Sequence, residues 1–156
     1  MPEKPHHRRR HHKLRDPGSD AKTIAPATQL PTITGPVSIN GYSQPGAHPN
    51  TKAVGSDAAL KIVLSGGSYP AGDGLVIGAS NSTVKGLVIN HWGDGLRIDG
   101  AEATGNKVTG NYIGTDASGT QSPGNFTGVR VSSGSGNTIG GTTAAERNVI
   151  SSRQRR

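Results

Sequence analysis

The sequence predicts an all-β fold wound as a right-handed parallel β-helix, a solenoid of about three to four coils, and three observations predict it. Short aliphatic runs recur three times in a fixed order, apolar residues alternate within each run, and Gly or Asn punctuates the runs. Composition removes the ordinary alternative. With 30% hydrophobic and 3% aromatic residues but 24 glycines in 156, the chain is too poor in large apolar side chains for a compact globule. Such a composition belongs to disorder or to a repetitive fold around one narrow aliphatic stack.

The recurring unit has three parts. The first is Gly, an aliphatic residue, any residue and a second aliphatic: Gly74-Leu75-Val76-Ile77, Gly95-Leu96-Arg97-Ile98 and Gly128-Val129-Arg130-Val131. The second starts with Asn and ends with Gly: Asn81 to Gly86, Asn106 to Gly110 and Asn137 to Gly141. The third is a short strand: Leu87-Val88-Ile89, Asn111-Tyr112-Ile113 and Asn148-Val149-Ile150. The period is 21 residues from Leu75 to Leu96 and 33 from Leu96 to Val129, the longer step containing a Gly- and Ser-rich insertion at Gly114 to Gly124. Three strands per turn, each turn stacked on the last at about 4.8 Å, suit a parallel coil with right-handed connections. A weaker coil is expected from Ile33 to Leu64.

Alternation assigns the faces. Leu75, Leu96 and Val129 are expected to stack inside, as are Ile77, Ile98 and Val131, while Arg97 and Arg130 point outward because an unpaired buried Arg is very costly. The glycines, with Asn81, Asn106 and Asn137, are expected at corners where φ is positive, the asparagines stacking along the coil axis.

Texture and charge divide the chain. Residues 1–30 read as a disordered His/Arg-rich tail, 31–152 as the parallel β-helix and 153–156 as a basic tail. Residues 1 to 15 carry a net charge of +5 and the last four +3, leaving −1 on residues 16 to 152 out of the total of +7. The near-neutral body gives no reason to expect nucleic acid as a partner. The chain has no cysteine, so disulfides and thiolate metal sites are excluded. No apolar run is long enough to span a membrane, and no apolar segment follows the charged start to make a signal peptide.

Residues 33–48 (ITGPVSINGYSQPGAH), 83–98 (TVKGLVINHWGDGLRI) and 111–151 resemble bacterial right-handed parallel β-helix repeat proteins. The blocks NYIGTD, GNFTGV and NTIGGTTAAERNVIS carry the resemblance, which covers roughly residues 31 to 151. It implies a pectate-lyase-like superhelix in large secreted or cell-surface bacterial proteins, many without an established activity. The chain departs from them in lacking a signal peptide, in its first 30 residues, and in ending after Ser151 with Arg153-Gln154-Arg155-Arg156 where further coils would follow. It therefore reads as a fragment, a truncated gene or a misassigned frame.

Four groups are candidates for chemistry. Asp73 and Asp94 each precede a repeated Gly-Leu strand and are expected about 5 Å apart on adjacent coils, where two carboxylates repel or recruit a cation. With Arg97 and Arg130 projecting nearby, they resemble pectate and pectin lyase-type sites, in which Ca²⁺ neutralises an acidic sugar and Arg acts as base. The plainer reading is that Asp-Gly is a turn and the arginines a solvated face. The paired-Asp and Gly-His-Gly pattern of polygalacturonases and the Asp-Pro-His motif of alginate epimerases are absent. Trp92, after His91, would stack on a sugar if exposed, or pack on the adjacent coil if not. Asp116 is the single acid of the insertion, which is either a groove-lining loop or a decorated turn. His6, His7, His11 and His12 around Arg8-Arg9-Arg10 would bind Zn²⁺, Ni²⁺ or phosphate only weakly without a fold to preorganise them.

Three functions follow. The first is a structural β-helix repeat segment of a secreted or surface protein, without catalytic activity and with no cofactor. The second is a polysaccharide lyase or hydrolase-like enzyme acting through Asp73, Asp94, Arg97 and Arg130. The third is nonspecific nucleic-acid binding through the basic tail. Uncapped coil ends add an expectation of self-association.

Overall fold

The fold is all-β, and every pairing between its named strands is parallel. The computed structural model describes residues 20–67 and 72–153. Within them the strands are β1 (Lys22–Ile24), β2 (Ser38–Asn40), β3 (Ile62–Ser65), β4 (Leu75–Ile77), β5 (Thr83–Lys85) and β6 (Leu87–Asn90), then β7 (Asp94–Ile98), β8 (Lys107–Thr109), β9 (Tyr112–Ile113), β10 (Thr127–Val131), β11 (Thr138–Ile139) and β12 (Val149–Ile150). The described helices are two 3-10 turns, Gly41–Ser43 and Ala144–Glu146.

Three sheets result, in the orders β1-β3-β6-β9-β12, β4-β7-β10 and β2-β5-β8-β11. The chain visits them in unbroken rotation. β1 lies in the first sheet, Ile33 bridges Ile77 of the second, β2 lies in the third, and β3 returns to the first. The same order then repeats through β4 to β12, and Ser152 bridges Asn125 just before β10. Each strand therefore pairs with its counterpart one repeat away, as short strands must when sequence neighbours occupy different sheets.

Register aligns the apolar side chains in rows. Leu75, Leu96 and Val129 are paired across the second sheet, as are Ile77, Ile98 and Val131. Ile39, Val84, Val108 and Ile139 form a row in the third sheet. Ile24, Leu64, Ile89, Ile113 and Ile150 form one in the first. Ile77, Ile89, Ile98, Val84, Val108 and Ile113 are fully buried, and one core cluster takes members from all three sheets. Each such side chain contributes about 1.5–3 kcal/mol of burial.

The first sheet is covered on both faces. Val88 and Tyr112, on its other face, pack with Leu60, Ala58 and Tyr42 from the long connection between β2 and β3. Tyr42 donates its hydroxyl to Gly110 O at 2.5 Å. Burial, with a smaller contribution from Tyr112, pushes its pKa up to about 12.

Two sequence expectations change. The segment 1–30 was expected to be a tail. Residues 1–19 lie outside the described residues, but Lys22–Ile24 pairs in register with Ile62–Leu64. Poverty in apolar residues does not prevent this, because an edge strand is held by ladder hydrogen bonds to a neighbour that is already ordered. Of the basic tail at 153–156, Arg153 donates its N–H to Asn125 O at 2.8 Å, and 154–156 lie outside the described residues. The corner assignment is also displaced by one residue. Thr83 pairs with Lys107, so Asn106 matches Ser82, and the left-handed position is taken by Asn81 (φ 54°), Gly105 (φ 67°) and Gly136 (φ 66°). Asn106 and Asn137 are not at positive φ.

Candidate functional site

Asp73 lies in the turn before β4 and Asp94 opens β7, and the Leu75–Leu96 register brings them to matching positions as expected. Asp73 Oδ1 accepts the backbone N–H of Asp94 at 3.2 Å. Arg97 and Arg130 are also in register, one repeat apart. The arginines bind the carboxylates of the preceding repeat. Arg97 Nη1 is 3.4 Å from Asp73 Oδ2, and Arg130 Nε is 3.0 Å from Asp94 Oδ2. Arg97 Nη2 adds a 2.5 Å contact to Asp99 Oδ2, while its Nε is buried without a partner.

This geometry answers the repulsion that suggested a cation. In one dielectric, attraction at about 3 Å to a guanidinium exceeds repulsion between carboxylates about 5 Å apart. Ca²⁺ requires six to eight oxygen ligands, and here guanidinium nitrogens and a backbone N–H hold the carboxylate oxygens, so the donor set does not fit it. Among the described residues no group of three or more His, Cys, Asp or Glu is placed to hold a metal ion. The Asp99 carboxylate, then the hydrogen bond to Asp73, hold the Arg97 proton more tightly than in a free guanidinium.

Trp92 is in the core, 5% exposed, with Nε1 donating to Leu64 O at 3.2 Å. Of the two readings of Trp92, packing on the adjacent repeat is the one that fits: its N–H bonds the neighbouring repeat, while the ring still lines the clefts on either side. Beside it, His91 sits at φ 62°, where the following repeat carries Gly124 at φ 78°. Its Nδ1 is 2.8 Å from Asn90 Oδ1 and 3.3 Å from Ser65 Oγ. An open cleft of about 330 Å³ adjoins it, lined also by Phe126 and Arg153.

Asp116 turns inward on its own loop. Its carboxylate accepts the Ser118 hydroxyl at 2.7 and 2.8 Å and the backbone N–H groups of Thr120 and Gln121 at 3.2 Å each. The Ser118 hydroxyl first, then these N–H groups, hold its pKa below the usual carboxylate range. A carboxylate so engaged closes the loop.

The polar groups that matter most to the architecture are asparagines. Asn111, fully buried, accepts Leu87 N–H at 3.0 Å, donates to Val84 O at 2.9 Å, and passes its own N–H to Asn148 Oδ1 at 2.9 Å. Asn106 and Asn137 form a second ladder, with Ser82 N–H donating to Asn106 Oδ1 and Asn106 N–H to Asn137 Oδ1. Asn125 ties Trp92 N–H to Ile89 O. An Asn at the head of successive short strands was the available signal, visible in Asn111-Tyr112 and Asn148-Val149. No local signal announces Arg147, which donates to Gly55 O at 2.7 Å and Ala53 O at 2.9 Å, more than ninety residues away in sequence.

The chain matches no protein-family model, no curated protein and no solved structure. Among the described residues no helix is long and apolar enough to cross a membrane. The His/Arg cluster of residues 6–12, the basis of the metal and nucleic-acid readings, lies outside the described residues.

Proposed function

We propose that the three parallel sheets are the walls of a right-handed parallel β-helix, of the kind the sequence resembles in bacterial β-helix repeat proteins. The chain then serves as a structural scaffold segment of a secreted or cell-surface protein, without a catalytic act of its own. One observation carries the reading: the carboxylates and arginines singled out for chemistry, like the buried asparagines, are engaged in joining one repeat to the next or in closing their own loop. Arg97 holds Asp73, Arg130 holds Asp94, Asn111 holds Asn148, and Asp116 closes its insertion. The unbroken rotation among sheets supports the same reading.

A second reading, a polysaccharide lyase-like enzyme, is favoured by the in-register pair Arg97 and Arg130. Incubation with polygalacturonate, with and without Ca²⁺, separates the two. The scaffold reading expects no rise in unsaturated-product absorbance. A rise abolished by Arg97→Ala or Arg130→Ala overturns it. The coil itself is tested with cysteine pairs at Val63/Val88, Val76/Arg97 and Lys85/Thr109, one in each sheet, in a chain with no native cysteine. All three are expected to oxidise within a monomer, and failure of any one contradicts the coil.

A further inference from the structure

The connection between β2 and β3 makes its contacts well beyond the strands it joins. His48 and Ala59 bridge antiparallel, exchanging both backbone hydrogen bonds at 3.0 and 2.9 Å, and close a hairpin whose tip is residues 50–57. Tyr42 reaches Gly110 O, just before β9. Ser56 Oγ lies 2.7 Å from the Tyr112 hydroxyl in β9, and Asn50 Nδ2 lies 3.3 Å from Ala144 O in the turn before β12. The hairpin therefore crosses the strands rather than following them. From β3 through β6 and β9 to β12 is about 14 Å at ~4.8 Å per strand.

The tip is shaped from within. Asn50, 5% exposed, accepts the N–H groups of Lys52 and Asp57 at Oδ1, and Asp57 accepts the N–H and hydroxyl of Thr51. The carbonyls of Lys52, Ala53 and Gly55 converge on the Arg147 guanidinium, at 3.3, 2.9 and 2.7 Å. Arg147 caps the Ala144–Glu146 turn, which Glu146 fastens by accepting the Thr143 N–H and hydroxyl. A rigid turn thus delivers the guanidinium two residues ahead of β12.

We propose that Arg147 is a latch, and that the hairpin tip and residues 144–151 open and close as one unit, a strap whose release uncovers Val88 and Tyr112. In a stack of repeats each repeat touches only its neighbours, so repeats can open one at a time. The strap overrides that independence by tying a segment that lies between β2 and β3 in sequence to the approach of β12. A planar guanidinium spans three carbonyls at once, whereas an ammonium is a point charge that does not. Coupling of this kind is reciprocal: loosening either partner loosens the other by the same factor. The carbonyls carry no net charge, so salt screens this contact less than it screens the pairs Arg97–Asp73 and Arg130–Asp94.

The test is native-state amide hydrogen exchange of the full chain, which reads the opening of each segment separately. Val149 and Ser151 report on β12, because their N–H groups bond Asn111 O and Ile113 O and not the hairpin. Asp57 reports on the tip, because its N–H bonds Asn50 and not Arg147. Asp99, whose N–H bonds Ile77 O in the second sheet, is the reference. Asn50→Ala is expected to speed exchange at Val149 and Ser151 about tenfold, and Arg147→Ala to speed it at Asp57 by a similar factor, with Asp99 little changed. Arg147→Lys keeps the charge without the fork and is expected to speed Asp57 nearly as much. The two alanine changes combined are expected to add little to either alone, since both release the same strap. Unchanged exchange at Val149 and Ser151 in Asn50→Ala makes hairpin and β12 independent and overturns the proposal. So does equal acceleration at Asp99, which marks loss of the whole fold instead of a shared local unit. Wild-type protection of Asp57 in Arg147→Lys overturns the latch.

Discussion

Arg130 reaches back one repeat to Asp94, its Nε 3.0 Å from a carboxylate that is only 6% exposed. Arg97 makes the same reach to Asp73 at 3.4 Å, so the two bonds form a diagonal charge ladder on one sheet. The partners differ in burial, and that difference sets the cost of breaking them. Arg130→Ala strands the buried Asp94 carboxylate and is expected to cost about 2 kcal/mol in urea unfolding, less than a fully buried pair because Arg130 is itself half exposed. Arg97→Ala leaves the better-hydrated Asp73 and Asp99 and is expected to cost about 1 kcal/mol or less. Equal costs count against this ranking.

Asn111→Ala is expected to be among the most damaging polar substitutions. It leaves Leu87 N–H without its acceptor, takes the amide bond away from Val84 O and removes the link to Asn148. An orphaned buried group costs about 1–3 kcal/mol, so the total with the lost bonds is about 2–3 kcal/mol. Asn148→Ala, on the last repeat, is expected to cost about 1 kcal/mol. Thermal and urea melts of the pair measure the difference.

As the only tryptophan, Trp92 reports its own surroundings. Its emission is expected at the short wavelengths of a buried indole, with little quenching by iodide and no change on adding oligosaccharide. Trp92→Ala is expected to cost about 3–5 kcal/mol. Strong iodide quenching would sink the core assignment.

Acid is expected to destabilise the fold through its loops. Asp116 is held below its usual range by the Ser118 hydroxyl, Asp57 by the Thr51 hydroxyl, and Glu146 by the Thr143 backbone N–H. A carboxyl with a lowered folded-state pKa binds its proton more readily in the unfolded chain. Its stabilisation is present above the ordinary carboxylate pKa of about 4 and is lost as pH falls from there through the folded value. Melting temperature should therefore decline below about pH 4. Asp116→Asn, which keeps one acceptor, is expected to flatten part of that decline, and an unchanged pH profile in the variant contradicts the role of this loop.

The register of the rows Leu75–Leu96–Val129 and Ile77–Ile98–Val131 was legible because interior positions of a repeat must be aliphatic and evenly spaced, which leaves a periodic trace, although Val131, expected inside, is 47% exposed. The partners of outward side chains were not. The pattern shows that Asp73 and Asp94 are neighbours but not that each arginine leans back by a repeat, because that depends on side-chain reach rather than spacing. The one-residue displacement of Asn106 has a related origin. Asn81 and Gly105 share a left-handed turn, a role either residue type fills, so aligning Asn with Asn paired unlike positions. The cover over Val88 and Tyr112 was hidden for another reason: Leu60, Ala58 and Tyr42 come from a stretch without any repeat.

The insertion has one further consequence. In the wall of the earlier repeat, Asn90 runs directly into His91. In the later one, Gly114 and Gly124 stand at that junction, joined by Gly124 N–H to Gly114 O at 2.9 Å, and residues 115–123 leave and return through this single doorway. Val129 still falls on Leu96. Chain length at that point is thus decoupled from the alignment of everything after it, and the junction is a natural port where foreign sequence can be carried on the outside while the wall behind it stays in step.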